Sequence, residues 1–237
     1  MKIKQHLLAS ALCVLPFAAS AADLPVKAPY RVVQPVPFTW TGFYVGASAG
    51  VIAQGTTGTD ETGFWFSPGE RTDITGYGGL FGINIGYNYQ FAGNWVIGLE
   101  ADFSGSSLNT SFVSSDGLGL SSKLNSLGTV RGRVGYAFDR ALLYATGGFA
   151  YGHVENSAFD STDPSYNSST SGWKTGWTVG GGLEYAFLNN WTARVEALYV
   201  DLGSTTGSTA ISGGSVGCRY GFKNTYLLSR VGLNYKF

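Results

Sequence analysis

Residues 81–103, FGINIGYNYQFAGNWVIGLEADF, place large apolar side chains at every second position through two consecutive runs. Phe81, Ile83, Ile85, Tyr87, Tyr89 and Phe91 share one parity, and Gly82, Asn84, Gly86, Asn88 and Gln90 share the other. After the short break Ala92-Gly93-Asn94, the residues Trp95, Ile97, Leu99, Ala101 and Phe103 oppose Gly98, Glu100, Asp102 and Ser104. Side chains of a strand alternate between its two faces, so a period of two marks strands, and so short a break joins antiparallel neighbours. The stretch therefore reads as a hairpin with one apolar face and one small, polar and charged face.

The same period recurs outward from this hairpin. Phe43, Val45, Ala47, Ala49 and Val51 form an apolar face before it. Val130, Gly132, Val134, Tyr136 and Phe138 follow it, opposite Thr129, Arg131, Arg133 and Gly135. Trp177, Val179, Gly181, Leu183, Tyr185 and Phe187 oppose Thr178, Gly180, Gly182, Glu184 and Ala186. Trp191, Ala193, Val195, Ala197 and Tyr199 oppose Thr192, Arg194 and Glu196, while Val231, Leu233, Tyr235 and Phe237 oppose Arg230, Gly232, Asn234 and Lys236. Residues 141–154 are apolar or small on both parities, so this fifth run has no assignable face. Asp201 breaks the parity of the seventh run, which a bulge or the exit of the strand from its apolar surround would explain. No stripe of 3.6-residue period appears, so the expectation is eight strands and no helix.

Alternation alone also fits a soluble sandwich with one buried face. Three features favour lipid. The apolar faces carry no charge, although 13% of all residues are charged. The opposite faces instead set Glu100, Asp102, Glu184 and Glu196 beside Arg131, Arg133, Arg194, Arg230 and Lys236. An eight-stranded barrel has an interior just wide enough for side chains, and charges held there must pair. Near-equal numbers predict an ionic network with glycines making room for the arginines. Second, the breaks at 92–94, 139–140 and 188–190 are short and flanked by aromatics, with Phe38, Trp40, Tyr235 and Phe237 expected at the same level. The segments 52–76, 105–123, 156–173 and 204–223 are long and rich in Gly, Ser, Thr and Asp. An aromatic girdle beside tight turns at one end, with long loops at the other, is the asymmetry of outer-membrane barrels. Third, an apolar edge strand ending at Phe237 invites aggregation unless it closes against the first strand.

The hairpin is also repeated. Gly86-x-x-Tyr89-x-Phe91-x-x-Asn94-Trp95 with Glu100-Ala101 recurs as Gly182-x-x-Tyr185-x-Phe187-x-x-Asn190-Trp191 with Glu196-Ala197, half a barrel away. Duplication and the shared demands of two similar hairpins both account for it.

The beginning of the chain has the pattern of an export signal. Lys2 and Lys4 precede an apolar stretch from Leu7 to Ala19, and Ala19-Ser20-Ala21 is an A-x-A site, giving cleavage between Ala21 and Ala22. The expected organisation is a signal peptide over 1–21, a proline-spaced periplasmic leader over 22–39 and the barrel over 40–237. Leu12 before Cys13 disfavours lipid attachment. Without Lys2 and Lys4 the chain holds 13 basic and 15 acidic residues, which leaves no basic field for nucleic acid. Cys218 is then the only cysteine, so no internal disulfide is expected, and a plain thiol is the simpler reading of it.

The segments 22–29 (ADLPVKAP), 40–46 (WTGFYVG) and 98–102 (GLEAD), with the aromatic end of the chain, resemble the alphaproteobacterial outer-membrane surface antigens. These are often grouped under a porin heading, and some members bind haemin. The resemblance implies an eight-stranded barrel of the OmpA-like transmembrane type, without the periplasmic domain that OmpA carries. It also implies that Val231, Leu233, Tyr235 and Phe237 are the signal read by the barrel-assembly machinery.

Candidates for chemistry are few. His153 is the only histidine outside the signal, and with Glu155 and neighbouring serines it resembles the catalytic groups of lipid-modifying hydrolases; a solvated histidine at the barrel mouth is the simpler reading. No metal or phosphate-loop spacing is present, so no cofactor is expected. Glu100 and Asp102 lie on one lumen strand, where ion pairing outweighs acid–base work. The expectation is a non-enzymatic surface protein embedded among outer-membrane lipid and lipopolysaccharide, supporting the envelope and displaying loops. A narrow passive porin and a haemin or ligand receptor are the alternatives.

Overall fold

A computed structural model of the chain describes residues 38–60, 71–113, 118–160, 168–208 and 219–237. The expectations for the signal peptide with its Ala21/Ala22 cleavage point, for most of the leader and for Cys218 lie outside these residues.

The eight expected runs are eight strands: β1 (Gly42–Asp60), β2 (Arg71–Phe91), β3 (Trp95–Val113), β4 (Leu118–Phe138), β5 (Ala141–Asp160), β6 (Ser168–Ala186), β7 (Trp191–Ser208) and β8 (Arg219–Lys236). Each pairs antiparallel with the next, and β8 pairs with β1, so the sheet closes as a barrel. The described residues contain no helix. At the short-turn end, Ala92 (φ 45°), Gly93 (φ 79°) and Asp139 (φ 56°) supply the left-handed backbone that reverses the chain within two or three residues. Beyond β8, the Phe237 amide donates to the Phe43 carbonyl at 3.0 Å and finishes the closure.

The expected faces are the observed ones. Phe43, Phe81, Ile83, Leu99, Val134, Leu183, Val195 and Leu233 point outward and are exposed, as the lipid-facing row of a membrane barrel must be. The fifth strand, ambiguous in sequence, is resolved by its neighbours. Leu143, Ala145 and Phe149 face out, whereas Leu142, Tyr144, Ala150 and Val154 are buried inside. Both parities are apolar because this strand lines apolar layers of the lumen as well as the lipid.

Two expectations need correction. The polar segments predicted as long loops are largely strand: β1 continues pairing through Thr59 and β2 begins at Arg71. Their Thr and Ser residues keep the ladder without the apolar alternation that signals strands in sequence. Ten or so tilted residues span the hydrocarbon, so strands of 18 to 21 residues rise well above it. Trp40, predicted in the aromatic girdle, is instead 1% exposed inside the short-turn mouth. There it packs with Val96, Ala137, Leu142 and Ala186, and its indole Nε1 donates to the Asp139 carbonyl at 3.2 Å. The outward girdle consists of Tyr89, Phe91, Trp95, Tyr136, Phe138, Trp191, Tyr235 and Phe237, with edge-to-face pairs such as Trp95–Tyr136 and Trp191–Tyr235.

Candidate functional site

The polar faces converge in the middle of the lumen. The Glu100 carboxylate accepts hydrogen bonds from Arg131 Nη2, from Arg194 Nη1 at 2.5 Å and from the Tyr44 hydroxyl at 2.8 Å. Glu196 accepts from Arg230 Nε at 2.7 Å, Arg131 Nη1 at 3.1 Å and the Tyr144 hydroxyl at 2.9 Å. Asp102 takes Arg230 through both terminal nitrogens at 3.1 Å and the Thr129 hydroxyl at 2.5 Å. Glu184 pairs with Arg133 at 2.8 Å and accepts from Asn234 Nδ2 at 2.8 Å and Thr192. All eight charged residues are at most 6% exposed.

Four acids thus face four arginines, and the layer is neutral. Isolated buried charges cost several kcal/mol each, and only mutual pairing with further hydrogen bonds offsets that cost. Glu100, Asp102 and Glu196 are each shared between arginines, and Arg131, Arg133 and Arg230 each reach more than one carboxylate, so the network acts as a unit. Lys236, predicted within this network, does not join it. Its Nζ donates to the Thr39 carbonyl and lies 4.6 Å from the centre of the Phe38 ring, at the short-turn mouth. The position is too close to the strand end to reach the arginine layer, and a flexible lysine stem takes it toward the mouth.

The sequence reading missed what packs around the ions. Tyr44 and Tyr144 bracket the Arg133 guanidinium, whose carbon lies 5.6 and 4.2 Å from their ring centres. Each tyrosine stands opposite a glycine that clears its path. A Cβ on Gly86 would come within 2.3 Å of the Tyr44 hydroxyl, and one on Gly182 within 2.7 Å of that of Tyr144. The register places Tyr44, Gly86, Glu100 and Arg131 opposite one another across β1 to β4, and Tyr144, Gly182, Glu196 and Arg230 across β5 to β8.

An apolar layer sits on the ions toward the long-strand mouth. Ile52, Leu80, Leu108, Leu124, Val154, Leu198, Val200, Leu202 and Leu228 are buried together there. Above them, Gln54 Nε2 donates to the Ser122 hydroxyl at 2.8 Å in a buried polar layer. On the other side of the ions lies the Trp40 cluster. The lumen is therefore stacked as apolar, ionic, apolar and polar layers. Sequence signals for the upper layer were the apolar residues on the polar parity past Gly50 in β1 and past Glu196 in β7.

His153 faces outward near the upper rim. Its Nδ1 lies 3.3 Å from Asn125 Nδ2, and that amide donates to Glu155 at 2.7 Å. The imidazole Nε2 lies 3.4 Å from the Ser171 hydroxyl. Among the described residues, no three or more His, Cys, Asp or Glu side chains gather as a metal site.

A family model described as the outer membrane protein beta-barrel domain matches residues 9–237. The chain belongs to this family. The 31 kDa outer-membrane immunogenic protein of Brucella melitensis is 38% identical over 99% of this chain and 100% of its own length. The 22 kDa outer membrane protein of Rhizobium leguminosarum bv. viciae is 36% identical over 69% of this chain and 64% of its own. The outer-membrane protease OmpT of Escherichia coli shares the fold at a TM-score of 0.51 and 14% identity, covering 86% of this chain and 99% of that one. The Brucella relative is named as an outer-membrane immunogenic protein and the Rhizobium one as an outer membrane protein, and this barrel too is an outer-membrane protein.

The orientation of the tryptophans provides a direct check. In single-tryptophan variants refolded into brominated-lipid vesicles, Trp95 or Trp191 alone should be strongly quenched, since 47% and 42% of their surface faces outward. Trp40 alone should be almost unquenched. Equal quenching of all three would contradict its place in the lumen.

Proposed function

We propose that this outer-membrane barrel is a sealed, non-enzymatic surface protein that supports the envelope and holds its extended upper strands outside the cell. The observation that carries the reading is the lumen: four arginines and four carboxylates at most 6% exposed, closed above and below by apolar layers. A passive porin would need a continuous wet path, and moving an ion through packed leucines and paired charges is costly. The outward apolar band fits lipid and lipopolysaccharide as its surroundings. Val231, Leu233, Tyr235 and Phe237, outward on the closing strand, suit recognition by the barrel-assembly machinery before closure. Haemin capture by His153 would require breaking its contacts with Asn125, Ser171 and Trp173. The test is single-channel recording of pure refolded protein in planar bilayers. No steady conductance is expected above the bare membrane, and large, stable unit conductance would overturn the sealed lumen.

A further inference from the structure

Above the apolar band, the outer wall changes chemistry on β4, β5 and β6. The outward row of β5 climbs from Leu143 through Phe149 and Tyr151 to His153 and Glu155. Tyr151 stands ten residues above Ala141 at the short-turn end, and ten or so tilted residues span the hydrocarbon. Tyr151 therefore marks the upper interface, with Trp173 of β6 against it at 5.9 Å between ring centres. His153 and Glu155 lie one step higher, at the level of the headgroups of the outer leaflet.

A bulge completes the cluster. β4 loses its register against β5 between Leu124 and Ser126, which leaves Asn125 unpaired and re-aims its side chain onto the outer face. Its Nδ2 donates to Glu155 Oε1 at 2.7 Å and lies 3.3 Å from His153 Nδ1. The His153 ring stands edge-on to the Trp173 indole with centres 5.4 Å apart, and its Nε2 lies 3.4 Å from the Ser171 hydroxyl. These contacts hold a carboxamide, a carboxylate and an imidazole in fixed positions beside one indole. The indole itself is 58% exposed. The Asn125 amide oxygen and the second Glu155 oxygen are not used in these bonds.

An open aromatic face bordered by planar polar groups has a definite chemical complement. A pyranose ring carries a face of C–H groups that packs on an indole, and a rim of hydroxyls that a carboxylate and a carboxamide take as pairs. The carboxylate also disfavours a phosphate as the group in contact, since like charges repel. The cluster faces sideways, directly above the outward Phe149, Trp177 and Val179. A molecule whose sugars reach it therefore has its apolar part on that wall. We propose that this face of β4–β6 binds a sugar of the surrounding lipopolysaccharide, with the ring on Trp173 and its hydroxyls on Asn125 and Glu155. The site stands whether or not the lumen conducts, because it lies on the outside of the wall.

The test is a titration of the purified, refolded protein in detergent with deep-rough lipopolysaccharide, which carries only the inner sugars. Native mass spectrometry reads the fraction of barrels holding a copy. Trp173→Phe keeps an aromatic face and should bind as the wild type does. Trp173→Leu, apolar but without a ring, should bind several-fold less, and so should Asn125→Ala combined with Glu155→Ala. Each variant should still migrate as the folded form on an unboiled gel, since its changes lie outside the lumen. Wild-type binding by both weakened variants, or no binding by the wild type, would overturn the site. Trp177→Leu, lower on the same strand, should bind normally; a loss equal to that of Trp173→Leu would reduce the effect to any interfacial tryptophan and overturn it as well. Phosphatidylglycerol, titrated in parallel, should bind wild type and variants alike. A matching preference for the wild type there would mean that lipid charge rather than sugar is read. Inner oligosaccharide freed of its acyl chains should displace little glycolipid at equal concentration, and complete displacement would assign the face to soluble glycans instead.

Discussion

Glu100→Gln is expected to lower the unfolding free energy of the barrel by about 3–5 kcal/mol, the usual cost of removing one partner from a buried ionic group. The substitution keeps the shape and removes only the charge. Glu100 accepts from Arg131, Arg194 and the Tyr44 hydroxyl, and Arg133 Nη1 lies 3.8 Å from it. With glutamine, the layer holds four guanidinium groups against three carboxylates, and the surplus charge stays buried. The expected result is a clear fall in the denaturant midpoint, read as the fraction of protein migrating as the folded form on an unboiled gel. Removing a pair should hurt far less. Arg133→Met with Glu184→Met leaves the layer neutral, and apolar replacement of a buried ion pair is often neutral or stabilising. A double variant as unstable as Glu100→Gln, or a Glu100→Gln barrel with an unchanged midpoint, would mean that charge balance does not govern this core.

How much of this was legible follows from which side of the wall a residue occupies. Lipid accepts only apolar side chains, so outward residues such as Ile83, Val134 and Leu233 repeat a simple period over each strand, and the barrel follows from them. The lumen imposes no such uniform rule. It demands only mutual satisfaction, and satisfaction is a property of register, which pairs Glu100 with Arg131 across one seam and Glu196 with Arg230 across another. Composition announced that the charges would pair, but not that Lys236 would turn to the mouth or that Tyr144 would bind Glu196. Leu198 and Val200 escaped notice for a related reason: an apolar residue on the polar parity resembles noise until its neighbours Leu228 and Tyr226 are found beside it.

Gly86→Val and Gly182→Val are expected to destabilise the barrel together and to a similar extent, because the two halves seat their tyrosines in the same way. In each half a tyrosine crosses a glycine to reach a glutamate that an arginine holds from the far side: Tyr44, Gly86, Glu100 and Arg131, then Tyr144, Gly182, Glu196 and Arg230. A Cβ at Gly86 would meet the Tyr44 ring at 2.4 Å and the Leu99 carbonyl at 2.7 Å. At Gly182 it would meet the Val195 carbonyl at 2.4 Å and the Tyr144 hydroxyl at 2.7 Å. Overpacking of this kind costs about 1–3 kcal/mol. Displacing the tyrosine also removes a hydrogen bond from a buried carboxylate, at about 1–3 kcal/mol more. Tyr44→Ala should soften the effect of Gly86→Val without abolishing it, since a ring can withdraw but the Leu99 carbonyl belongs to the ladder. Gly172→Val, with open space at its Cβ, is the control and should leave the midpoint where it was. If only one of the two lumen substitutions mattered, the halves would share a sequence pattern but not a packing role. Equal losses would instead mean that the repeated Gly-x-x-Tyr-x-Phe hairpin is the outward trace of a repeated lumen, in which the glycine is kept for the tyrosine of the preceding strand.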